Sequence, residues 1–398
     1  MKKDAFTNQY IFTEQQLTMG KDKKLHLLFA AYMAGGNGTI LENLENEIKI
    51  RNDVDSSWLR IELDPKKLIQ YGTKQVSLIP GTIRNSMLTH ERIRIIEKDG
   101  INFGAAFFFQ HTICMGLIKF RSRVPYVIGM DGTPLFFAQN ELWYAHPYFK
   151  PNSLNSKFKH MITKSVYKNA SHLLPLSTKV RDSLINDYNI SPNKITVVPP
   201  GIDLEKYCLP NRDTEERRKK PFNVLFVGAD FIRKGGDLLV KLAGMEDFQD
   251  VQFNFVTKSY EGPRLKNIKV YDDITTNTEP MLNLLHDADI FVLPTRADSF
   301  SIASLEAMAT GLPVIIVPVG GISDIVIDGE TGYLIKKDDI EELSNRILKL
   351  RDDCELRYRM GANSRKRIET HFNIKTISNK VVELLKNAAA GKSSNGKN

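Results

Sequence analysis

Short apolar runs of five to eight residues recur along the chain, and apolar positions between them return every three or four residues. Continuous runs of this length predict strands buried on both faces, and the intervening periodicity predicts helices, the pattern of β-α units that build parallel sheets. One set of strands is predicted at 25–32 (LHLLFAAY), 103–110, 125–130, 172–177 and 194–200; a second set is predicted at 222–228, 251–257, 288–294, 313–318 and 331–335. Between the sets, PPGIDLEKYCLPNRDTEERRKKP (199–221) is rich in proline and charge without sustained periodicity, and reads as a linker. The expected fold class is α/β: two Rossmann-like, doubly wound domains facing across a cleft, covering 1–199 and 200–372. Residues 373–398 are expected to form a helix returning to the first domain, followed by a frayed tail.

Composition supports two cores. The chain has 398 residues, 42% of them hydrophobic and 26% charged, more than one core usually organises. A net charge of +8 favours acidic partners. The basic residues are dispersed, however, with local clusters at 215–220 and 363–369 that read first as solvated faces and second as a membrane-facing patch. No apolar run nears the roughly 20 residues that span a bilayer. The start, MKKDAFTNQYIFTEQQ, is basic but has no apolar segment, so no secretory leader is expected. Cys114, Cys208 and Cys354 are odd in number and far apart, which suits a reducing compartment and gives no zinc spacing. A cytoplasmic location is the expectation.

The candidate chemistry starts at TRADSFSIASLEAMATGLPV (295–314), where Glu306 is the one ionisable residue between Asp298 and Asp324. A helix is predicted from about Ser301 to Thr310, stopped by Gly311 and Pro313. The amides of Ser299, Phe300, Ser301 and Ile302 then form a helix N-terminus suited to phosphate. Asp298 reads as an N-terminal helix acid or as part of that site. Glu306 reads as half of an ion pair or as an acceptor for sugar hydroxyls. A second cluster is VLFVGADFIRKGGDLLV (224–240), in which Arg233 and Lys234 follow a strand end beside two glycines and are placed to meet a diphosphate. The first turn, AAYMAGGNGTILENL (30–44), fails the dinucleotide fingerprint because Leu41 stands at the third glycine position. Gly36 there allows close approach of backbone to a ligand.

His111, after one strand, and Asp131, after the next, are expected at the cleft mouth. Either orients an acceptor hydroxyl, or they are respectively a loop histidine and a turn acid. The aromatic stretch ELWYAHPYF (141–149) reads as a carbohydrate-stacking or lipid-facing loop, or as core. Asp-x-Asp at 53–55 has no apparent third ligand, and no metal is expected.

Taken in order, AAYMAGGNG, ASHLLPLSTKVRDSLINDYNISPNKITVVPPGIDLEKY, FVGADFIRKGGDLL and ADIFVLPTRADSFSIASLEAMATGLPVIIVPVGGISDIVIDGETGYLI resemble the retaining GT-B glycosyltransferases of glycosyltransferase family 4. The likeness covers roughly 25–385. It implies a nucleotide-sugar donor, UDP-linked ahead of GDP-linked, held by the C-terminal domain as co-substrate, with no further cofactor. The family's paired carboxylates fall on Asp298, here one methylene shorter, and on Glu306, which would hold the ribose. The donor-phosphate lysine falls on Lys234, and Ala229 stands where an arginine usually follows the strand glycine. Asp131 occupies the place of an acceptor-site histidine, while His111 matches another loop that carries one. The resemblance implies sugar transfer to a glycan, glycolipid or other hydroxyl acceptor without nucleic acid, with peripheral contact to an anionic membrane as an added expectation. The alternative is a catalytically silent nucleotide-sugar-binding subunit.

Overall fold

The computed structural model describes residues 24–33, 36–62, 69–71, 74–76, 81–139, 154–211 and 219–395. The N-terminal segment, the aromatic stretch 141–149 and most of the basic cluster at 215–220 lie outside them. The strands are β1 (Leu25–Tyr32), β2 (Val54–Ile61), β3 (Ile69–Tyr71), β4 (Lys74–Val76), β5 (Ala105–Phe109), β6 (Tyr126–Met130), β7 (His172–Pro175), β8 (Phe222–Val227), β9 (Val251–Val256), β10 (Ile268–Tyr271), β11 (Ile290–Leu293), β12 (Val314–Ile316) and β13 (Gly332–Leu334). The α-helices are α1 (Asn37–Lys49), α2 (Gly81–Lys98), α3 (Ile118–Arg123), α4 (Pro134–Ala138), α5 (Leu154–Asn169), α6 (Thr178–Asn186), α7 (Gly236–Ala243), α8 (Glu279–Asp287), α9 (Ile302–Ala309), α10 (Ile340–Asp352), α11 (Cys354–His371) and α12 (Ile374–Asn395).

Two parallel sheets result, ordered β2-β1-β5-β6-β7 and β10-β9-β8-β11-β12-β13, with β3 and β4 forming a separate antiparallel pair. Alternation along β1 shows why both faces must be covered: Leu27, Phe29 and Ala31 enter one core and Leu28 and Ala30 the other. Helix α1 turns Ile40, Leu41, Leu44 and Ile48 towards the first of these cores, the stripe expected at helical spacing. Ile377, Val381, Val382 and Leu385 of α12 enter the same core, so the last helix packs on the N-terminal sheet.

Three segments depart from the sequence expectation. Residues 194–200 form no strand. Thr196 and Val198 N–H donate to Leu173 and Pro175 carbonyls at 3.0 Å each, but Pro199 and Pro200 have no N–H to continue a ladder. The segment with Asp-x-Asp is the edge strand β2, and Asp53 beside it is ion-paired with Arg51 and Lys386. Edge strand β10 also lacks a continuous apolar run, because only one side of it has a neighbour.

The chain passes between the domains twice, and the two passages are paired. Ile202 N–H donates to Phe372 O at 2.7 Å, and Ile374 N–H donates to Ile202 O at 3.1 Å. A second tie lies at the N-terminus of α6, where Asp324 accepts from Thr178 N–H at 2.6 Å and from Thr178 Oγ1 at 2.7 Å. A carboxylate from one domain thus caps a helix of the other. Gly321 is required beside it, since a Cβ there would come within 2.6 Å of the Ser177 side chain. Asp324→Ala is expected to cost about 1 kcal/mol and to lower the thermal unfolding midpoint by roughly 2–4 °C; an unchanged midpoint would remove the tie from the account of stability.

Candidate functional site

In each sheet the chain reverses direction at one point, between β1 and β5 in the first and between β8 and β11 in the second. The crevice at the carboxyl ends of such strands is where open α/β sheets take ligands. Lys234 follows β8 and Asp298 follows β11, and their side chains form a largely buried ion pair at the second crevice. Gly235 makes this possible locally. It has φ +82° and its Cα lies so close to Pro294 O that a Cβ would approach to 2.1 Å. Gly320, with φ +56°, presses in the same way on the Asp298 carbonyl.

Helix α9 starts where the sequence suggests: Ser301 is its N-cap and accepts from Ser304 N–H at 3.2 Å. Among the described residues the N–H groups of Ile302 and Ala303 have no protein acceptor, which leaves a partial positive charge beside Lys234 and Asp298. Gly36, at the head of α1 in the other domain, lies against Ile302, so close that a Cβ on the glycine would stand 3.3 Å from the isoleucine side chain. Gly36 therefore packs on the start of α9.

Glu306 is 1% exposed, and its protein partner is neither a lysine nor an arginine. Tyr207 from the linker donates its hydroxyl to Glu306 Oε1 at 2.8 Å. The same hydroxyl lies 3.0 Å from Asn277 Oδ1, so one phenolic proton faces two acceptors. Asn277 Oδ1 also accepts from Lys206 Nζ at 3.1 Å, and its Nδ2 donates to Glu42 of α1 at 3.1 Å. This chain of contacts joins the buried carboxylate to the opposite domain. Burial raises the Glu306 pKa to about 7, against the Tyr207 hydrogen bond and the Lys206 charge, which both lower it.

Asp131 directly follows β6 and faces the second domain across the cleft. It accepts from Ser299 Oγ at 3.2 Å and from Gln110 Nε2. Burial raises its pKa, the two hydrogen bonds oppose that shift, and the Asp298 charge adds to it. Gln110 has φ +80°, a conformation rare for a residue with a side chain, at the end of β5. His111 is not at the cleft mouth: it is 6% exposed, bonded through Nδ1 to Tyr167 Oη at 3.1 Å and edge-on to that ring. Burial lowers its pKa to about 4, so it stays neutral. Arg233 is held by Asp230 at 2.9 Å and by the Ala297 carbonyl at 2.8 Å, and so braces the loop around Asp298.

The structure thus brings together Gly36, Lys234, Asp298, Ser299, Phe300, Ser301, Ile302 and Asp131, and sets Glu306 one turn deeper. Sequence reasoning missed Tyr207, Asn277 and Gln110. The first lies in the aperiodic linker, and the other two are marked by positive φ, which a sequence does not display for Asn or Gln. Among the described residues no group of three or more His, Cys, Asp or Glu side chains is arranged to hold a metal ion.

The raised Glu306 pKa has a signed consequence. Its folded value lies above the usual 4.5, so its contribution to stability is full below that value and is lost as pH rises through about 7. Glu306→Gln, which cannot ionise, is therefore expected to gain on the wild type between pH 5 and pH 8 by on the order of 3 kcal/mol at most. Thermal midpoints of both proteins at the two pH values test this; a constant difference would show that the carboxyl titrates normally.

Two family models match the chain, Glycosyltransferase Family 4 over residues 86–206 and Glycosyl transferases group 1 over residues 210–367. Among curated relatives, the capsular polysaccharide biosynthesis glycosyltransferase CapM of Staphylococcus aureus is 29% identical over 52% of this chain and 59% of its own length. An uncharacterized glycosyltransferase of Methanocaldococcus jannaschii, MJ1178, is 27% identical over 82% of this chain and 89% of its own. Among solved structures, sucrose-phosphate synthase from Thermosynechococcus elongatus superposes with a TM-score of 0.71 at 18% identity, covering 92% of this chain and 100% of that one. Anabaena HepE, solved in complex with UDP, gives 0.64 at 16% identity, covering 91% and 100%. With two such sheets meeting at their carboxyl ends, the chain has the GT-B fold, its first domain matching the Glycosyltransferase Family 4 model and its second the Glycosyl transferases group 1 model.

Proposed function

We propose that this chain transfers a sugar from a nucleoside diphosphate donor, UDP-linked ahead of GDP-linked, to an acceptor hydroxyl with retention at the anomeric carbon. The observation that carries this reading is the convergence of Lys234, Asp298, the free amides of Ile302 and Ala303 and buried Glu306 at one crevice, with Asp131 opposite. In this reading Glu306 accepts from the ribose hydroxyls. Lys234 and the α9 amides meet the diphosphate and stabilise charge developing on the leaving group. Arg233, engaged by Asp230, adds charge from behind the loop, and Asp298 meets the donor sugar. The bond from the anomeric carbon to the phosphate oxygen breaks as the acceptor oxygen attacks from the same face, and the departing phosphate oxygen takes the acceptor's proton. Asp131 orients that hydroxyl, and His111 serves as neutral packing behind it. HepE's complexes with UDP and UDP-glucose support the choice of donor base.

The proposal includes independence from divalent metal, because Lys234 and the amides supply the positive charge. It also places the protein in the cytoplasm, bound peripherally to anionic membrane. The described residues contain no helix long and apolar enough to cross a membrane. Cys114, Cys208 and Cys354 are all free thiols, as suits a reducing compartment. Helix α5 has no acidic residue, and it exposes Phe158 at 57% and Met161 at 59% among Lys157, Lys164 and Lys168.

Lys234→Ala and Glu306→Ala are each expected to cut turnover by about tenfold or more, a barrier change above ~1.4 kcal/mol, in a screen of nucleoside diphosphate-sugars run with and without a chelator. Near-normal rates in both variants would reject the site, and loss of wild-type activity in the chelator would reject metal independence. Tight donor binding without transfer or hydrolysis would instead favour the silent subunit. Cosedimentation with vesicles of anionic lipid is expected to weaken as salt rises and with Phe158→Ser; equal binding to neutral vesicles would overturn the membrane reading.

A further inference from the structure

The crevice of the N-terminal sheet, between the carboxyl ends of β1 and β5, carries a feature that the donor site does not use. Helix α2 leads into β5, so its first turns stand at the carboxyl ends of the strands and its last turn, at Lys98, near their start. Ser86 fixes this placement by accepting from Gly116 N–H at 2.8 Å, in the loop that follows β5. Two residues earlier stands Arg84, whose charge reaches Tyr32, the last residue of β1, and lowers its phenol pKa against a larger rise from burial.

Among the described residues, Arg84 Nε and Nη1 are buried and have no hydrogen-bond partner. The next residue, Asn85, is 5% exposed, and its Oδ1 is likewise buried without a partner. Buried guanidinium nitrogens left unsatisfied are costly, and native proteins rarely keep them without a reason. Other arginines of this chain show the usual solution: Arg296 has Asp237 and Asp338, and Arg367 has the carbonyls of Asp324 and Ile325. These orphaned nitrogens stand at the point of chain reversal where a ligand of this sheet is expected.

We infer that the acceptor carries an anionic group, a carboxylate or a phosphate, that docks on the Arg84 guanidinium while Asn85 Oδ1 accepts from a neighbouring acceptor hydroxyl. This rests on the transferase reading above for the word acceptor, but not for the anion site itself. Carboxylate and phosphate alike accept charge-assisted hydrogen bonds from a guanidinium, and both carry the negative charge that the buried nitrogens lack.

The test titrates inorganic phosphate and glucuronate, separately, into the full chain already saturated with UDP, so that the donor-phosphate site is filled. Wild type is expected to bind at least one of the two. Arg84→Gln should weaken that binding by about tenfold or more, with Arg84→Lys falling between. Which probe binds distinguishes a phosphorylated acceptor from an acidic sugar. Removing buried nitrogens that lack partners should leave the thermal midpoint of Arg84→Gln equal to or above that of wild type, and the anion should raise only the wild-type midpoint. Absence of anion binding in wild type, or equal binding in Arg84→Gln, overturns the inference. In transfer assays, Arg84→Gln is expected to raise KM for an anionic acceptor about tenfold and to spare kcat. Equal use of neutral and anionic acceptors by wild type would also overturn it. Arg84-dependent anion binding in a chain that transfers no sugar would instead sink the transferase reading and leave the anion site standing.

Discussion

The hydrogen bond from Tyr207 to Glu306 is the constraint on which the arrangement of the second domain depends. Helix α9 is buried almost all round, with Leu305, Ala307, Met308 and Ala309 in the core, and yet it carries a carboxylate. Nothing on the helix itself can satisfy that group, so the partner must come from another element, and it comes from the linker. That requirement fixes the path of the chain between the domains. Tyr207 must lie fully buried against the core, and Arg365 of α11 holds both the Tyr207 and Ala309 carbonyls to keep linker and helix together. It also explains Asn277, whose φ of +64° is tolerated because its side-chain and main-chain oxygens both receive Lys206. When the carboxyl is protonated it donates to the phenol oxygen and the phenol turns to Asn277; when ionised it takes the phenol's proton.

Because Glu42 of α1 closes that network from the other domain, the depth of the crevice between β8 and β11 and the separation of the domains are linked. The paired passages at Ile202 and Ile374 restrict relative motion to bending about one line, while Asp324 on Thr178, Ser299 on Asp131 and Asn277 on Glu42 lie away from it. Opening the cleft would exchange these polar contacts for water at modest net cost, whereas sliding the domains would break the main-chain pairing and the packing of α12. The arrangement favours a hinge, which is how a cleft admits a large donor and then excludes water.

Much of this was legible in the sequence, for reasons that differ by element. Strand β5 is flanked on both sides and reads as an unbroken apolar run over its whole length, whereas β2 and β10 stand at sheet edges. There, half-exposed Ser56 and Ser57 or exposed Lys269 interrupt the apolar pattern. The run at 194–200 misled because apolar content reports burial and not the N–H groups a ladder needs, which Pro199 and Pro200 lack. The start of α9 was legible since Ser301 is a capping residue followed by an apolar turn. Tyr207 was not, because its meaning lies in a contact 99 positions away along the chain. The same holds for His111. A histidine after a strand suggests the mouth of a cleft, and only Tyr167, from α5, shows that it turns inward.

In the proposed transfer, the ion pair of Lys234 and Asp298 has to accommodate a donor that carries negative charge itself. A carboxylate beside an incoming diphosphate is repulsive unless the lysine offsets both, and a pair buried this deeply already bears the cost of desolvation. The backbone resolves part of the conflict. Gly320 presses on the Asp298 carbonyl, so the carboxylate cannot retreat by moving the chain, and the aspartate's short side chain keeps it on the lysine. A donor phosphate would then engage Lys234 from its remaining ammonium hydrogens and take further hydrogen bonds from Ile302 and Ala303, whose amides cost nothing to turn because helix α9 already holds them in place. On this reading the pair holds the ammonium preoriented before the donor arrives, and the helix amides supply the charge that the carboxylate takes away.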